Sequence, residues 1–324
     1  MKILATAPLR GPGLDELRAL GEVVEEPWIT GPTEPIRLLG AEQLAERLAD
    51  LGADVVICEA DSVKGPVLDL PLVAVGSTRG DPTNVDIPAA TAKHIPVLRA
   101  PARNADAVAE LAVGLLIACT RGIVVGDRDV RTDQVFARGT IPNQRYRAWE
   151  VAGRTIGLVG YGAVGRAAKW RFEGLGLRVL SADPYASDAT HADIDEMLPE
   201  CDIVSMHAAV TPETVGLMSA ERLRRLPEGA VYLNTARASL HDLDALVAAL
   251  EDGHVSSAGL DHFDGEVLPA GHPLIGMSNV VLTPHIGGAT FDCEANHTRA
   301  MADGLAALLR GERPSNLVNP EALD

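Results

Sequence analysis

Thr155-Ile-Gly-Leu-Val-Gly-Tyr-Gly-Ala-Val-Gly165 reads as a buried strand over residues 155–159, a glycine turn, and a helix opening at Ala163 that runs to about residue 172. A GxGxxG spacing arises by chance in loops, so its setting carries the meaning. Gly160 permits a tight turn, Gly162 lets a pyrophosphate approach the backbone, and Gly165 lets helix and strand pack closely. Ala163 and Val164 then fall in the first helical turn, where free N–H groups and the helix dipole favour an anion. The next strand, residues 178–182, ends at Asp183, placed to accept hydrogen bonds from an adenosine ribose and to repel a 2′-phosphate. The unit is expected to bind NAD in preference to NADP.

Outward from this unit, short apolar strands alternate with helical patterns in two blocks, the signature of an α/β fold with parallel sheets. The first block has expected strands at 2–6, 55–58, 72–75 and 97–98, with Leu44, Leu48 and Leu51 on one face of a helix. The second has them at 155–159, 178–182, 202–206, 230–234, 257–260 and 280–282, with a helix over 242–251. Long helices are expected over 104–121 and, after Gly288, to about Arg310, and a polar loop over 131–149. A chain of 324 residues suits two domains.

The formal net charge of −17 opposes nucleic-acid or anionic-membrane binding, which need a clustered positive footprint. The longest apolar stretch, 108–119, contains Glu110 and falls short of the roughly 20 residues of a membrane span. The N-terminus reads as a first strand and not a signal peptide, so a cytoplasmic protein is expected. Four scattered cysteines, Cys58, Cys119, Cys201 and Cys293, form no metal or disulfide spacing.

Three segments in the second block follow strands, where open α/β sheets place their sites. Asn234-Thr-Ala-Arg237 offers a permanently charged guanidinium able to hold a carboxylate or polarise a carbonyl. Gly259-Leu-Asp-His-Phe-Asp-Gly-Glu266 carries two acids five residues apart, and Thr283-Pro-His-Ile-Gly-Gly288 fixes the backbone before a histidine and leaves space after it. If Glu266 meets His285, the carboxylate would orient the ring and favour its charged form, an acid for a ketone oxygen. His262, Asp264, Glu266 and His272 match no trusted zinc spacing, and no metal site is expected.

With Asn84-Val-Asp86, the segment Arg103-Asn-Ala-Asp-Ala-Val-Ala-Glu110, Gly157 to Gly165, Asp202-Ile-Val-Ser-Met-His207 and the three segments above, the chain resembles the D-isomer-specific 2-hydroxyacid dehydrogenases along nearly its whole length. The resemblance implies two Rossmann-like or flavodoxin-like domains: a discontinuous substrate domain (1–101 and 291–324) and an NAD-binding domain (102–290). It implies hydride transfer between NAD(H) and C2 of a small anionic 2-hydroxy or 2-keto acid. Arg237 would bind the substrate carboxylate and carbonyl, His285 would be the acid/base, and Glu266 its partner. Asp261 would hold the nicotinamide carboxamide, and Thr235 and Ala236 would line the cofactor. The backbone N–H groups of Arg79 and Gly80 would grip the substrate carboxylate, and Asn104 would face the cleft. A homodimer built through the cofactor domain is also implied, with an arm over 131–149.

Val267 and Ala238 replace a proline and a glycine common in that family. Cys58-Glu-Ala-Asp61 stands where phosphoglycerate dehydrogenases place a phosphate-reading arginine, and acidic groups there would repel phosphate. Arg79 and Arg103 are candidates to compensate. A phosphoglycerate-like or phosphite-type dehydrogenase therefore stands as an alternative, and an NAD-sensing binding protein as one of a different class. Retention of Arg237, Glu266 and His285 together opposes the sensor.

Overall fold

The computed structural model describes residues 1–324, which divide into two compact units, Met1–Asn104 with Thr290–Asp324, and Ala105–Ala289. The first unit is built on five parallel strands: β1 (Lys2–Ala5), β2 (Glu22–Glu25), β3 (Val55–Cys58), β4 (Ala74–Ser77) and β5 (Val97–Leu98), in the order β2-β1-β3-β4-β5. β3 and β4 are buried at every position, as a sheet covered on both faces requires. Leu44 and Leu48 of the helix Ala41–Leu51 seal one face with Val56 and Val75, and Leu17 and Met301 seal the other with Ile3 and Ile57. The helices Pro12–Leu20 and Phe291–Leu309 approach closely, because a Cβ on Gly13 would lie 2.8 Å from the Arg299 backbone.

The second unit carries six parallel strands: β6 (Thr155–Val159), β7 (Arg178–Ala182), β8 (Ile203–Met206), β9 (Ala230–Asn234), β10 (Val255–Leu260) and β11 (Val280–Leu282). Their order is β11-β10-β9-β8-β6-β7. The helices Ala105–Arg121 and Ala163–Gly174 cover one face through Leu115, Leu116, Ala168 and Phe172. Leu223, Leu246 and Leu250 cover the other. Asp242 caps the helix Leu243–Glu251 by accepting from Ala245 N, which satisfies one of the N–H groups a helix start leaves free.

Both sheets run outward in two directions from their first strand. Connections after β1 and β3 in one unit, and after β6 and β8 in the other, therefore leave in opposite directions and open a crevice at the strands' carboxyl ends.

Some local expectations shift. The strand expected at 72–75 lies at Ala74–Ser77, in register with Val55–Cys58. β2 is an addition: an edge strand reading Glu-Val-Val-Glu has no apolar alternation to announce it. Within 131–149, expected as loop, a short helix spans Pro142–Arg145, and the helix Ile123–Arg131 precedes it. No single helix is long and apolar enough to cross a membrane.

Candidate active site

The glycine turn lies at the switch point of the second sheet. Gly160 has φ +94°, and a Cβ there would lie 2.4 Å from Ala208 N, in the connection leaving β8. Gly165 packs as closely, its Cβ position 2.4 Å from Gly160 O. Around Gly162, by contrast, nothing approaches within 4 Å, so the space beside the backbone is open. Ala163 and Val164 begin the helix, whose first N–H groups have no partner within it. Asp183 ends β7 with its carboxylate accepting from Tyr161 N at 2.8 Å and Tyr185 N at 2.9 Å, which holds it beside the turn with lone pairs to spare.

Two buried polar atoms near the carboxyl ends of β8 and β9, His207 Nδ1 and Thr235 Oγ1, have no partner in the chain. Orphaned groups of this kind are costly unless a ligand or water meets them. With the open glycine turn, they fit a dinucleotide. Burial lowers the His207 ring to about 4, so it is neutral at pH 7.

Asn234 organises the turn after β9. Its Oδ1 accepts from Ala236 N at 2.9 Å and its Nδ2 donates to Arg237 O at 2.9 Å. The same amide also donates to Nδ1 of the buried His241, which accepts from Tyr232 as well. Burial holds the His241 ring down to about 4, and a neutral ring is what two incoming donors require. The outcome is a fixed turn that presents the Arg237 guanidinium to solvent with no carboxylate partner. His241 gave no sign in the sequence, since the residues it serves are reached only through the fold.

Asp261, following β10, is fully buried. Its carboxylate accepts from Thr283 Oγ1 at 2.6 Å and from the backbone N–H groups of Ile286 and Gly287 at 2.9 Å each. Within the chain, then, Asp261 ties down the loop that bears His285. The His285 Nδ1 lies 2.7 Å from Glu266 Oε1. Both residues adopt positive φ, +56° and +62°, beside Gly265 at +66°. Such a conformation is disfavoured for non-glycine residues, and here it turns the two side chains to face each other.

His262 packs its ring on that of His285, with centroids 3.8 Å apart. Burial, with the charges of His285 and Arg237 adding, lowers His262 to about 4, so this ring stays neutral beside its neighbour. Of the possible metal set His262, Asp264, Glu266 and His272, the strand ends too early to align all four. Ring and carboxylate atoms of His262, Glu266 and His285 lie within 4.8 Å of one another, while His272 caps a short helix by accepting from Leu274 N.

In the first unit, Arg79 and Gly80 follow β4 at the carboxyl edge, and neither of their backbone N–H groups donates within the chain. Asn104, half-buried, ends that unit's first segment.

A family model described as "D-isomer specific 2-hydroxyacid dehydrogenase, NAD binding domain" matches residues 113–287. The chain is 36% identical to a glyoxylate reductase of Thermofilum pendens over an alignment of 342 residues, covering 99% of this chain and 95% of that one. The chain belongs to the D-isomer specific 2-hydroxyacid dehydrogenase family. It is an NAD-dependent oxidoreductase of that family, with two Rossmann-like domains. A D-3-phosphoglycerate dehydrogenase of Mycobacterium leprae is 34% identical over 93% of this chain, which spans 56% of that longer relative. Among solved structures, the TT0316 protein of Thermus thermophilus superimposes with a TM-score of 0.82 at 34% identity, covering 98% of this chain and 100% of the other. The curated relatives are reductases and dehydrogenases, and the NAD-sensing alternative is set aside.

Proposed function

We propose that this dehydrogenase reduces a short 2-keto acid of the glyoxylate class to the D-2-hydroxy acid, with His285 as the proton donor. The observation that carries the reading is the 2.7 Å contact between His285 Nδ1 and Glu266. With Nδ1–H committed to the carboxylate, Nε2 is left to deliver its proton to the ketone oxygen. Bound NADH would supply the hydride to C2. Arg237, unpaired in the chain, would hold the substrate carboxylate and offset charge developing on the carbonyl oxygen. The N–H groups of Arg79 and Gly80, unspent within the first unit, are that unit's own candidate donors to an anion. Gly160, Gly162, Ala163, Val164 and Gly165 would cradle the pyrophosphate, Asp183 the ribose, and Thr235, Ala236 and Asp261 would line the nicotinamide side. In the reverse direction His285 takes the proton from the hydroxyl.

His262, Glu266 and His285 are read as a proton-handling set, in which Glu266 takes His285 Nδ1 and the His262 ring packs on that of His285. A panel of 2-keto acids, followed by loss of NADH absorbance, tests the activity. His285→Ala and Arg237→Ala should each lower kcat by about 10²- to 10⁴-fold while NADH affinity, read by fluorescence titration, changes little. Near-normal turnover in both variants would overturn the assignment. A cytoplasmic homodimer is proposed as the working form.

A further inference from the structure

The segments following β10 and β11, both in the second unit, bring together three groups that can each offer a lone pair to a metal ion. His262 is 5% exposed and packs its ring on that of His285, with centroids 3.8 Å apart, and no hydrogen bond within the chain uses either of its ring nitrogens. A buried imidazole with no partner is costly unless a ligand or water meets it. An apolar side chain would fill the same place without that cost. Glu266 and His285 are exposed, with Oε1 and Nδ1 2.7 Å apart. One ligand atom from each of His262, Glu266 and His285 lies within 4.8 Å of the other two.

Two imidazoles and a carboxylate are a donor set suited to Zn²⁺, a cation of intermediate softness held by such atoms at about 2.0–2.2 Å. Those bond lengths set tetrahedral ligand atoms roughly 3.4 Å apart. The contact between Glu266 and His285 therefore opens slightly and His262 swings toward it, both by side-chain rotation. The backbone is already fixed by Asp261, the neighbour of His262, whose carboxylate accepts from Thr283 Oγ1 and from the N–H groups of Ile286 and Gly287 on either side of His285. Outer groups that hold ligand-bearing loops in this way raise metal affinity. Among the charges that act on His262, those of Asp261 and Glu266 favour a cation, and that of Arg237 opposes it. The spacing in the sequence gave no zinc motif because Glu266 and His285 stand 19 positions apart, after different strands.

We propose that His262, Glu266 and His285 form an inhibitory Zn²⁺ site. The ion takes the place of the proton between His285 Nδ1 and Glu266: a Zn–N and a Zn–O bond form, the Nδ1 proton leaves to solvent, and His262 supplies the third ligand, leaving a fourth position for water. The bound His285 ring keeps its Nε2–H, but it is no longer an imidazolium that gives this proton up readily, so the acid for the ketone oxygen is lost. The inhibition rests on the reading of His285 as proton donor; the metal site does not.

Equilibrium dialysis of chelator-treated protein against ZnCl₂ should show one Zn²⁺ per chain at micromolar or tighter affinity. A large excess of Mg²⁺, which prefers oxygen ligands, should not displace it. His262→Phe keeps a packed ring and removes its lone pairs, and it should weaken zinc binding at least tenfold. Glu266→Gln, at an exposed position, should do the same and covers the case in which His262→Phe does not fold. Zinc should lower turnover of glyoxylate by the unaltered enzyme at least tenfold, with recovery on adding EDTA, and His262→Phe should need at least ten times more zinc to halve its own rate. Absence of stoichiometric zinc binding, or binding unchanged in both variants, overturns the inference alone. Zinc bound through these residues with turnover unaffected overturns the inhibitory role. Zinc bound as expected by a protein that reduces no 2-keto acid overturns the reductase reading and leaves the metal site standing.

Discussion

Asp261 shows how much a single carboxylate can do without touching a substrate. Its two oxygens receive Thr283 Oγ1 and the N–H groups of Ile286 and Gly287, so the loop bearing His285 is held on three bonds to one buried charge. Hydrogen bonds to a charged group contribute about 1.5–3 kcal/mol each. Asp261→Asn places an NH₂ group against at least one of these donors. We expect kcat to fall by at least tenfold, with a changed pH profile for turnover because the His285–Glu266 contact is no longer fixed; a profile and rate matching the unaltered enzyme would refute this role. Arg237, Glu266 and His285 stood out in the sequence because their types and positions after strands fit proton transfer and carboxylate binding. Asn234 was named only as the start of a segment, His262 only in a metal set, and His241 not at all: an amide and two neutral histidines acquire these roles only from the atoms the fold brings to them.

At the scale of elements, the glycine turn depends on one strand and one helix being almost in contact. A methyl group at Gly165 would sit 2.4 Å from Gly160 O, well inside van der Waals range, and neither backbone can move without shifting β6 or the helix Ala163–Gly174. Gly165→Ala should therefore weaken NADH binding at least tenfold in a fluorescence titration, through displacement of the helix N-terminus and without loss of any side chain. Binding unchanged within twofold would show that the helix can slide to absorb the methyl. Strands β6, β7, β9 and β11 were legible as short runs with an apolar centre between turn residues; of them the central β9 is buried at every position, as a strand covered on both faces is. The edge strand β2 and the helix Ile123–Arg131 were not. The first is half-exposed, and the second has exposed Ile123, Val124 and Val130 where a lone helix would be polar.

For the whole molecule, that exposed apolar surface supports the homodimer. Val130, Phe136, Ile141 and Trp149 are each more than half exposed, more large apolar side chains than one short segment of a monomer ordinarily leaves in water. Light scattering should report twice the 34.1 kDa chain mass, and Phe136→Asp should lower it toward the monomer; a monomeric unaltered protein would remove the proposal. Acid should also destabilise the fold. His241 is neutral in the folded chain and gains a proton only at about 4, whereas in the unfolded chain it does so near 6.5. The unfolded state thus binds more protons between these values. The stabilising effect is complete above about pH 6.5 and is lost as the pH falls toward about 4, roughly 2 kcal/mol of it by pH 5. His207 and His262 act in the same direction. Denaturant midpoints at pH 7 and pH 5 measure the loss, which His241→Gln should reduce.

Local sequence was enough to specify the class of fold, the cofactor and the chemical types at the site. Each of these is written in short-range patterns: a glycine turn between strand and helix, an acid at the next strand end, and an arginine, a glutamate and a histidine after later strands. Long-range packing was needed to establish that Glu266 faces His285, that Asp261 faces the loop bearing His285, and that Glu59, Arg103 and His297 join in one hydrogen-bonded chain. Arg103 and His297 stand 194 positions apart, and no local pattern encodes their meeting. It follows from the packing of the helix Phe291–Leu309 on the first sheet, where burial of Met301 and Leu305 fixes the place of the polar groups on the same helix.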